Sequence, residues 1–497
     1  MTTMFPPRRS RSDKTALVEN DGASCRVRAA TWFGLVVVAM AAALYVGWIG
    51  FMASDDSLYH AGAVRWLVDP PFAGSDHWST RFPLTLTFAA VIAIVGNNFA
   101  AFAVTAVLFY VLLVVVVGGF AAAGGKPRAG WIAALLTATL PVVVSHATTV
   151  SVDLTEAAAL VVGAWLLGSS REDPGGLLRA GLGGVMFGAA VLCRETSVLP
   201  LIVLGPMFLI GRPLPRRVLM ACGIGAAMVL VGEALFQYAL TGDPLRRYAI
   251  AFHHDEHINR AANHEGNFLL WAPIDPLLVL LINDDFGLLF WTAGIACVGW
   301  CWTRLSVARR APFLLLAAMA GSSFILVSAL YAKLVLNPRY FMLAALAAVI
   351  LVALWLDRIR AWARIMVLAV LVSTNLLLVS VGNAHPRWPM EALLIAAEAH
   401  PQAVVAGAPD DVARSDIPMA FLRQTNIRPL PAQPGDLVVA PAAHAPKGVV
   451  IARYPSPPTR LGALLRWLGL EPLVPSAISR RMFAPSPEMV LVRPQGG

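Results

Sequence analysis

Long apolar runs alternate with short polar segments from residue 30 to residue 382. A full membrane crossing takes about 20 residues, so the shorter runs predict tilted helices, extended helices or half-helices. The pattern predicts an all-α polytopic membrane protein with about 11 transmembrane helices. The runs are 30–52, 99–121, 130–149, 154–169, 177–192, 197–211, 218–239, 286–303, 312–332, 341–356 and 365–382.

A further apolar segment, residues 81–97, is short, and the next run follows almost at once. Counting it as a crossing would place the later basic clusters on the outer side, against the usual cytoplasmic position of such clusters. We therefore expect it to form a re-entrant or juxtamembrane helix on the outer face. The clusters are Lys126/Arg128, Arg171/Arg179, Arg212/Arg216/Arg217, Arg304/Arg309/Arg310 and Arg358/Arg360/Arg364.

The predicted spans divide the chain into three parts. Residues 1–29 form a basic cytoplasmic tail, residues 30–382 a transmembrane domain, and residues 383–497 an extracytoplasmic domain. Within the transmembrane domain, residues 53–98 and 240–285 form the two larger outer loops. This topology places the N-terminus in the cytoplasm and the C-terminus outside.

The C-terminal residues return to the composition of a soluble protein. A helical stretch at 389–400 comes first, and short β-type runs separated by proline-rich turns follow it. This predicts a small α/β domain, since about 115 residues can bury a core of their own. The β-type runs are 403–406, 437–440, 449–451 and 489–492.

Composition supports the membrane assignment. The 497 residues are 58% hydrophobic and 13% charged, with a mean hydropathy of +0.69, whereas soluble domains carry about 25% charged residues. The net charge of +9 arises from clusters in short loops, so it indicates membrane topology and no nucleic-acid partner. Short basic loops of this kind are typical of a multi-pass protein of a bacterial inner or plasma membrane.

Two adjacent acids, Asp55 and Asp56, follow the first run within a few residues. Carboxylates are costly at a membrane boundary and tend to be functional there. One of them can deprotonate an attacking hydroxyl or amine, while the other, about 100° further around a helix, can orient a partner or a cation. A structural role is the alternative, because Ser54 and Asp55 also suit the N-cap and first turn of a helix.

Basic and aromatic residues also lie at the outer end of a later span. Arg339 and Tyr340 follow Asn337-Pro338, and Lys333 lies shortly before them. Arg and Lys beside a membrane offer a phosphate group a donor fork and a point charge. The same residue types anchor helices at the bilayer interface, and the sequence leaves both roles open.

Other polar residues occur near predicted outer span ends. Arg194 and Glu195 lie between two short runs, where an ion pair would be structural, and Asp153 is a further candidate site carboxylate. The segment 253–257, His-His-Asp-Glu-His, has the content of a metal site but a loose spacing. The chain contains no Gly-rich loop followed by Lys-Ser/Thr, which argues against a soluble nucleotide donor. We predict no metal site and no cofactor, with a divalent cation left open.

The candidate motifs follow one another in a familiar order along the chain. Over residues 30–345 they resemble the GT-C glycosyltransferases, in particular the branch of protein O-mannosyltransferases and aminoarabinose transferases (families 39 and 83). The resemblance implies a GT-C type fold. The motifs are Asp55-Asp56-Ser57-Leu58-Tyr59-His60-Ala61, Arg81-Phe82-Pro83-Leu84, Gly96-Asn97-Asn98-Phe99, Asp153, Arg194-Glu195-Thr196 and Pro338-Arg339-Tyr340.

The resemblance implies an inverting glycosyltransferase that moves a hexosyl or pentosyl group from a polyprenyl-phosphate donor to an acceptor on the outer face. The acceptor would be a glycan, a lipid or a protein. Asp55 would be the catalytic base, with Asp56 where the family usually has Glu. The family's His/Lys-Pro-Pro is Arg81-Phe82-Pro83 here, which alters a basic contact to the substrate. The residues implied in substrate binding are Tyr59, Arg81, Asp153, Arg194, Glu195, Lys333, Arg339 and Tyr340.

A polytopic transporter or lipid flippase is the alternative function, since it would also combine many spans with charged residues. Here, however, the charged residues gather at one face, and the halves show no repeat or pair of broken helices of the kind transporters have. An inactive protein that keeps the fold is a third alternative, and the intact acidic pair speaks against it.

Overall fold

The computed structural model describes residues 11–253, 274–299, 307–330, 337–382 and 387–495. Helices form nearly all of the described chain up to Gly382, with short 3-10 turns at Glu195–Ser197 and Pro338–Phe341. In chain order the helices are α1 (Arg11–Gly47), α2 (Asp55–Val68), α3 (Phe82–Val95), α4 (Phe99–Gly124), α5 (Pro127–Thr139), α6 (Pro141–Ala147), α7 (Asp153–Gly168), α8 (Pro174–Cys193), α9 (Val198–Leu201), α10 (Leu204–Ile210), α11 (Arg216–Thr241), α12 (Arg246–His253), α13 (Asp275–Ile282), α14 (Leu289–Gly299), α15 (Val307–Ala329), α16 (Met342–Leu356) and α17 (Ala361–Gly382).

Every apolar run of the sequence contains helix, which confirms the predicted helical membrane protein. Among the described residues, seven helices are long and apolar enough to cross a membrane, or eight if α5 and α6 form one bent span. This number is lower than the prediction of about 11 because a full crossing needs about 20 residues and several runs form shorter or broken helices.

Proline accounts for two of the broken runs. Pro141 separates α5 from α6, which meet at an angle of 64°, because proline lacks an amide N–H and its ring clashes with the preceding turn. Pro200 and Pro206 lie in the first turns of α9 and α10, where proline is tolerated. The run 197–211 therefore forms two short helices. A separate run forms α7, which has only 16 residues.

Helix α3 occupies the segment expected to lie at the membrane face. Near its start Arg81 bonds Tyr59 of α2, and beyond its end the side chain of Asn97 lies 2.6 Å from His60 Nε2. Both ends of α3 therefore reach adjacent residues of one helix. The 14 residues of α3 extend about 21 Å, less than the ~30 Å of hydrocarbon that a crossing helix spans, so its length favours the juxtamembrane position.

The C-terminal residues form a small α/β unit, as predicted. Its elements are α18 (Trp388–Ala399), β1 (Val405–Gly407), α19 (Pro409–Leu422), β2 (Ile427–Pro429), β3 (Leu437–Pro441), β4 (Gly448–Tyr454), α20 (Arg460–Trp467), α21 (Ser476–Phe483) and β5 (Met489–Pro494). The strands lie in the order β2-β1-β3-β5-β4, with β1 parallel to β2 and β3, and β5 antiparallel to β3 and β4. The strand missed by the sequence pattern is β2, a short edge strand ending at Pro429.

The C-terminal unit has its own core and also contacts the transmembrane helices. Trp388 and Leu393 of α18 pack with Val405, Leu437 and Leu491 of the sheet. This separate core fits the proposed division of the chain near residue 383.

Helices α8 and α11 pack closely along a face of small residues. A Cβ atom on Gly225 would lie 2.0 Å from the carbonyl oxygen of Gly181, and one on Gly184 would lie 1.8 Å from that of Cys222. These distances leave no room for a side chain. Glycine has no side chain, so the backbones of two membrane helices can approach this closely. Such close packing stabilises a helix pair in lipid, where the hydrophobic effect does not drive association.

We predict that Gly225→Ala destabilises the protein by about 1–3 kcal/mol, the usual cost of overpacking a well-packed contact. Gly223→Ala on the same helix is the control, because nothing lies within 4 Å of a Cβ at that position. The measurement is the midpoint of thermal unfolding in detergent. Equal midpoints for the two variants would contradict the close approach of α8 and α11.

Candidate functional site

The polar ends of several helices surround one cavity of about 290 Å³. The first turn of α2 forms one wall, and α6 and the turn leading into α7 form another. Arg339, from the 3-10 turn Pro338–Phe341, completes it. The lining residues are Ile49, Met52, Ser54, Asp55, Asp56, Tyr59, Ser145, His146, Thr149, Val150, Ser151, Asp153 and Arg339.

Asp55 is the accessible carboxylate of this cavity. Its side chain is 39% exposed, and its Oδ2 atom lies 3.7 Å from Nη1 of Arg339, whose side chain is 29% exposed. At 3.7 Å the contact is an ion pair without a direct hydrogen bond. Both groups therefore keep hydrogen-bonding capacity for a molecule in the cavity.

Asp56 is buried and differs sharply from its neighbour. Its carboxylate accepts hydrogen bonds from the backbone N–H groups of Met52 at 2.6 Å, Ser54 at 2.9 Å and Ser57 at 3.1 Å. Burial raises the pKa of Asp56, and these three bonds act in the opposite direction. Both carboxylate oxygens are thus engaged with the backbone, so the geometry fits a residue that orders the start of α2.

The expected capping role is also present, although Asp56 performs it. Ser54 is the N-cap residue of α2, but its side chain makes no capping bond. Instead, Asp56 accepts the N–H of Ser54, much as the third residue of a capping box reaches back to the N-cap.

Asp153 and Arg194 form a buried ion pair deeper in the site. Arg194 Nη1 lies 2.6 Å from Asp153 Oδ1, and the two side chains are only 6% and 4% exposed. Asp153 also accepts a bond of 2.7 Å from Ser151 Oγ, and its Oδ2 lies 3.5 Å from His146 Nδ1. A buried pair with additional hydrogen bonds is costly to break, so this cluster rigidifies the cavity wall.

Tyr340 lies between two arginines. The guanidinium carbon of Arg194 is 5.1 Å from the centre of its ring, and that of Arg339 is 5.8 Å away. Both distances fall within the range of cation–π attraction. The contacts bring the candidate residues of two separate segments together at one place.

Tyr59 and Arg81 form a second buried group beside the cavity. Arg81 donates to the Tyr59 hydroxyl and also lies beside His77 Nε2. Burial raises the pKa of Tyr59, so its phenol stays protonated at neutral pH. Tyr59 lines the cavity, whereas the Arg81 side chain is enclosed by these partners, and its role in substrate binding stays a prediction.

Arg194 and Glu195 do not pair with each other, contrary to the ion pair considered from their adjacency. Arg194 bonds Asp153, and Glu195 Oε1 lies 2.8 Å from Arg247 Nη2. Their side chains diverge because a 3-10 turn begins at Glu195, directly after the end of α8.

Arg247 is a buried residue beside the site that the sequence did not indicate. Its side chain is fully buried and donates to the carbonyl oxygens of Thr80 and Leu192 and to the Glu195 carboxylate. It therefore joins the segment before Arg81 to the segments around Arg194. The sequence gives no signal for this, since Arg246 and Arg247 are chemically alike.

Two predicted features fall outside the described residues. Lys333 is one of them, and residues 254–257 of the His-rich segment are the other. Among the residues that the structure describes, no group of three or more His, Cys, Asp or Glu side chains is arranged to bind a metal ion.

We predict that Arg247→Gln destabilises the protein by about 3–5 kcal/mol, because it leaves a carboxylate and several carbonyl groups without their buried cation. Arg246→Gln is the control and should change stability by less than about 0.5 kcal/mol. Thermal unfolding in detergent compares the two. Similar midpoints would show that Arg247 does not hold these segments together.

Part of the chain is similar to a known family of proteins. Residues 83–237 match the model of a family described as dolichyl-phosphate-mannose-protein mannosyltransferase. No curated protein sequence matches the chain.

Solved structures share the fold over most of the chain. ArnT from Cupriavidus metallidurans in the apo state has a TM-score of 0.57 at 14% identity, covering 86% of this chain and 96% of that one. The same protein bound to undecaprenyl phosphate has a TM-score of 0.57 at 13% identity, covering 94% and 99%. The oligosaccharyltransferase of Archaeoglobus fulgidus, in complex with Zn and sulfate, has a TM-score of 0.50 at 14% identity, covering 82% and 68%. The chain is therefore an integral multi-pass membrane protein with the fold of the GT-C glycosyltransferases, as its motifs predicted.

Proposed function

We propose that this protein is an inverting glycosyltransferase that uses a polyprenyl-phosphate sugar as donor. The observation that carries the proposal is the accessible Asp55 carboxylate, 3.7 Å from Arg339 in a cavity at the helix ends. The family model over residues 83–237 describes a dolichyl-phosphate-mannose-dependent enzyme. ArnT, which shares the fold, has been crystallised with undecaprenyl phosphate, and both names point to the same class of donor.

Asp55 is proposed as the general base. In an inverting transfer the acceptor oxygen or nitrogen attacks the anomeric carbon while Asp55 takes its proton. The bond between that carbon and the phosphate oxygen breaks, and polyprenyl phosphate leaves. A positioned base of this kind contributes about 10²–10⁴-fold to the rate. Asp56, whose carboxylate binds the backbone, is proposed to position Asp55.

Arg339 is proposed to stabilise the departing phosphate. Arg194 is already neutralised by Asp153 at 2.6 Å, whereas Arg339 has its closest described carboxylate at 3.7 Å. Arginine suits this task because its planar fork matches the oxygens of a phosphate. Developing charge on a leaving group is where fixed donors lower a barrier most.

The wall next to the arginines suits a lipid-linked donor. A small pocket of about 30 Å³ beside the cavity is lined by Arg194 and Arg339 and by apolar side chains of several helices. A phosphate at the arginines would therefore have apolar side chains next to it, as a lipid-linked donor requires. The apolar lining residues are Ala157, Leu160, Leu199, Pro200, Val327, Met342 and Leu343.

The proposed setting is a bacterial inner or plasma membrane, with the N-terminus in the cytoplasm. Residues 1–29 would then be cytoplasmic, residues 30–382 the transmembrane catalytic domain, and residues 383–497 extracytoplasmic. The alternation of basic clusters supports this orientation, because such clusters stay in the cytoplasm.

We predict that Asp55→Asn abolishes sugar transfer from the active member of a panel of polyprenyl-phosphate sugars, with a loss of at least about 10²-fold. The amide has nearly the same shape but cannot accept the acceptor's proton. Asp69→Asn, at the exposed far end of α2, is the control and should retain activity. Donor release by purified protein in detergent is the measurement.

Full activity of Asp55→Asn would show that Asp55 is not the general base. Wild-type protein that releases sugar from none of the donors, yet moves lipid across vesicle membranes, would instead identify the transporter alternative.

We predict that Arg339→Gln lowers kcat for donor turnover by about 10²–10³-fold, the usual effect of removing one donor to a developing negative charge. Arg339→Lys should retain more activity, since it keeps the charge and loses only the fork. Arg65→Gln, at an exposed site on α2, serves as the control. A loss confined to KM would contradict stabilisation of the departing phosphate.

A further inference from the structure

The loop between α1 and α2, residues 48–54, carries Asp55 at its end. Two of its residues have left-handed backbone conformations, Gly50 at φ +87° and Ala53 at φ +56°. A non-glycine residue in this region is uncommon and persists when surrounding contacts fix it. The contacts of this α1–α2 loop therefore determine where α2 begins.

The transmembrane side holds one end of the loop and Asp56 holds the other. The N–H of Gly50 bonds the carbonyl oxygen of Thr148 at 2.8 Å. The N–H groups of Met52 and Ser54 bond the Asp56 carboxylate. Each contact fixes the loop to an element that also lines the Asp55 cavity.

A third contact comes from the C-terminal unit. Arg387 Nη2 donates to the carbonyl oxygen of Ile49 at 2.6 Å and to Glu391 Oε1 at 2.9 Å. The Arg387 side chain is only 17% exposed, and hydrogen bonds from a charged donor are roughly twice as strong as neutral ones. Trp388, the next residue, packs in the core of the C-terminal unit, so the position of Arg387 is set by that unit.

The guanidinium of Arg387 also acts electrostatically on Asp56, whose pKa it lowers against the effect of burial. Burial lowers the pKa of Arg387, and the carboxylates of Glu391 and Asp56 act against that effect. Ile49 and Met52 line the same cavity as Asp55. A shift of the loop would therefore move both the cavity wall and the carboxylate.

We propose that Arg387 is a positioning residue for the transfer reaction. By binding the Ile49 carbonyl it fixes the α1–α2 loop, and through the loop it fixes Asp55 relative to Arg339. The C-terminal unit thus sets the geometry of a site whose residues all belong to the transmembrane domain. This inference depends on the proposed function for its kinetic consequence.

Arg460 provides a matched control. It lies in α20 of the same unit, and its Nη1 atom donates to the carbonyl oxygen of Tyr45 at 3.0 Å. Its guanidinium also lies 5.2 Å from the Tyr45 ring. The two arginines make the same kind of contact, but Arg460 binds helix α1 and Arg387 binds the loop.

The kinetic test compares Arg387→Gln, Arg387→Lys and Arg460→Gln with the wild type. We expect Arg387→Gln to lower kcat for donor turnover by about 10- to 100-fold, since small displacements of a reacting group have effects of this size. The donor KM should stay within about twofold. Arg387→Lys should recover part of the loss, and Arg460→Gln should leave both constants within about twofold of wild type. A value of kcat for Arg387→Gln equal to that of Arg460→Gln would overturn the proposal.

A second measurement does not depend on activity. Hydrogen exchange followed by mass spectrometry should show faster exchange in the peptide covering residues 48–54 of Arg387→Gln, and unchanged exchange in Arg460→Gln. A fall in kcat without faster exchange in this peptide would refute positioning through the loop. If Arg387→Gln does not fold, Arg387→Lys and Glu391→Gln undergo the same comparison. Wild-type protein without transferase activity would refute the proposed function alone, because the exchange result still tests the contact.

Discussion

Two arginines buried at one end of the helices impose the arrangement of the site. Arg194 and Arg247 are almost completely removed from solvent, and a charge in that position must have an opposite charge and hydrogen-bond acceptors around it. Arg194 is compensated by Asp153 of α7, and Arg247 by Glu195 and by carbonyl groups of two other segments. Satisfying both arginines brings together segments that are far apart in the chain, and the cavity lies where they meet.

The adjacent carboxylates Asp55 and Asp56 illustrate how the same chemistry can serve two purposes. They lie on successive residues of α2, so they point in directions about 100° apart. One faces the cavity, while the other binds the backbone that precedes the helix. Asp56 therefore orders the start of α2, the helix that begins with Asp55.

The sequence predicted the helices well because hydropathy over a span is a local property, and it predicted most of the C-terminal strands for the same reason. Its motifs also named Asp55, Asp153, Arg194 and Arg339 as candidate site residues, and these line the cavity or the small pocket beside it. The sequence could not identify the bonding partners of the arginines, because Arg194 bonds a carboxylate 41 positions away and Arg387 a backbone carbonyl 338 positions away. Residue type cannot distinguish Arg247, which is buried, from Arg246.

The shortness of α7 has a consequence for how a lipid would reach the site. Its 16 residues extend about 24 Å, less than the ~30 Å of bilayer hydrocarbon. A crossing helix of that length would thin the bilayer locally or have one end below the headgroups. Asp153 is the first residue of α7 and pairs with Arg194. A lipid phosphate could then meet the arginines while its tail remains in hydrocarbon, avoiding about 0.8 kcal/mol for each methylene that would otherwise be drawn into water.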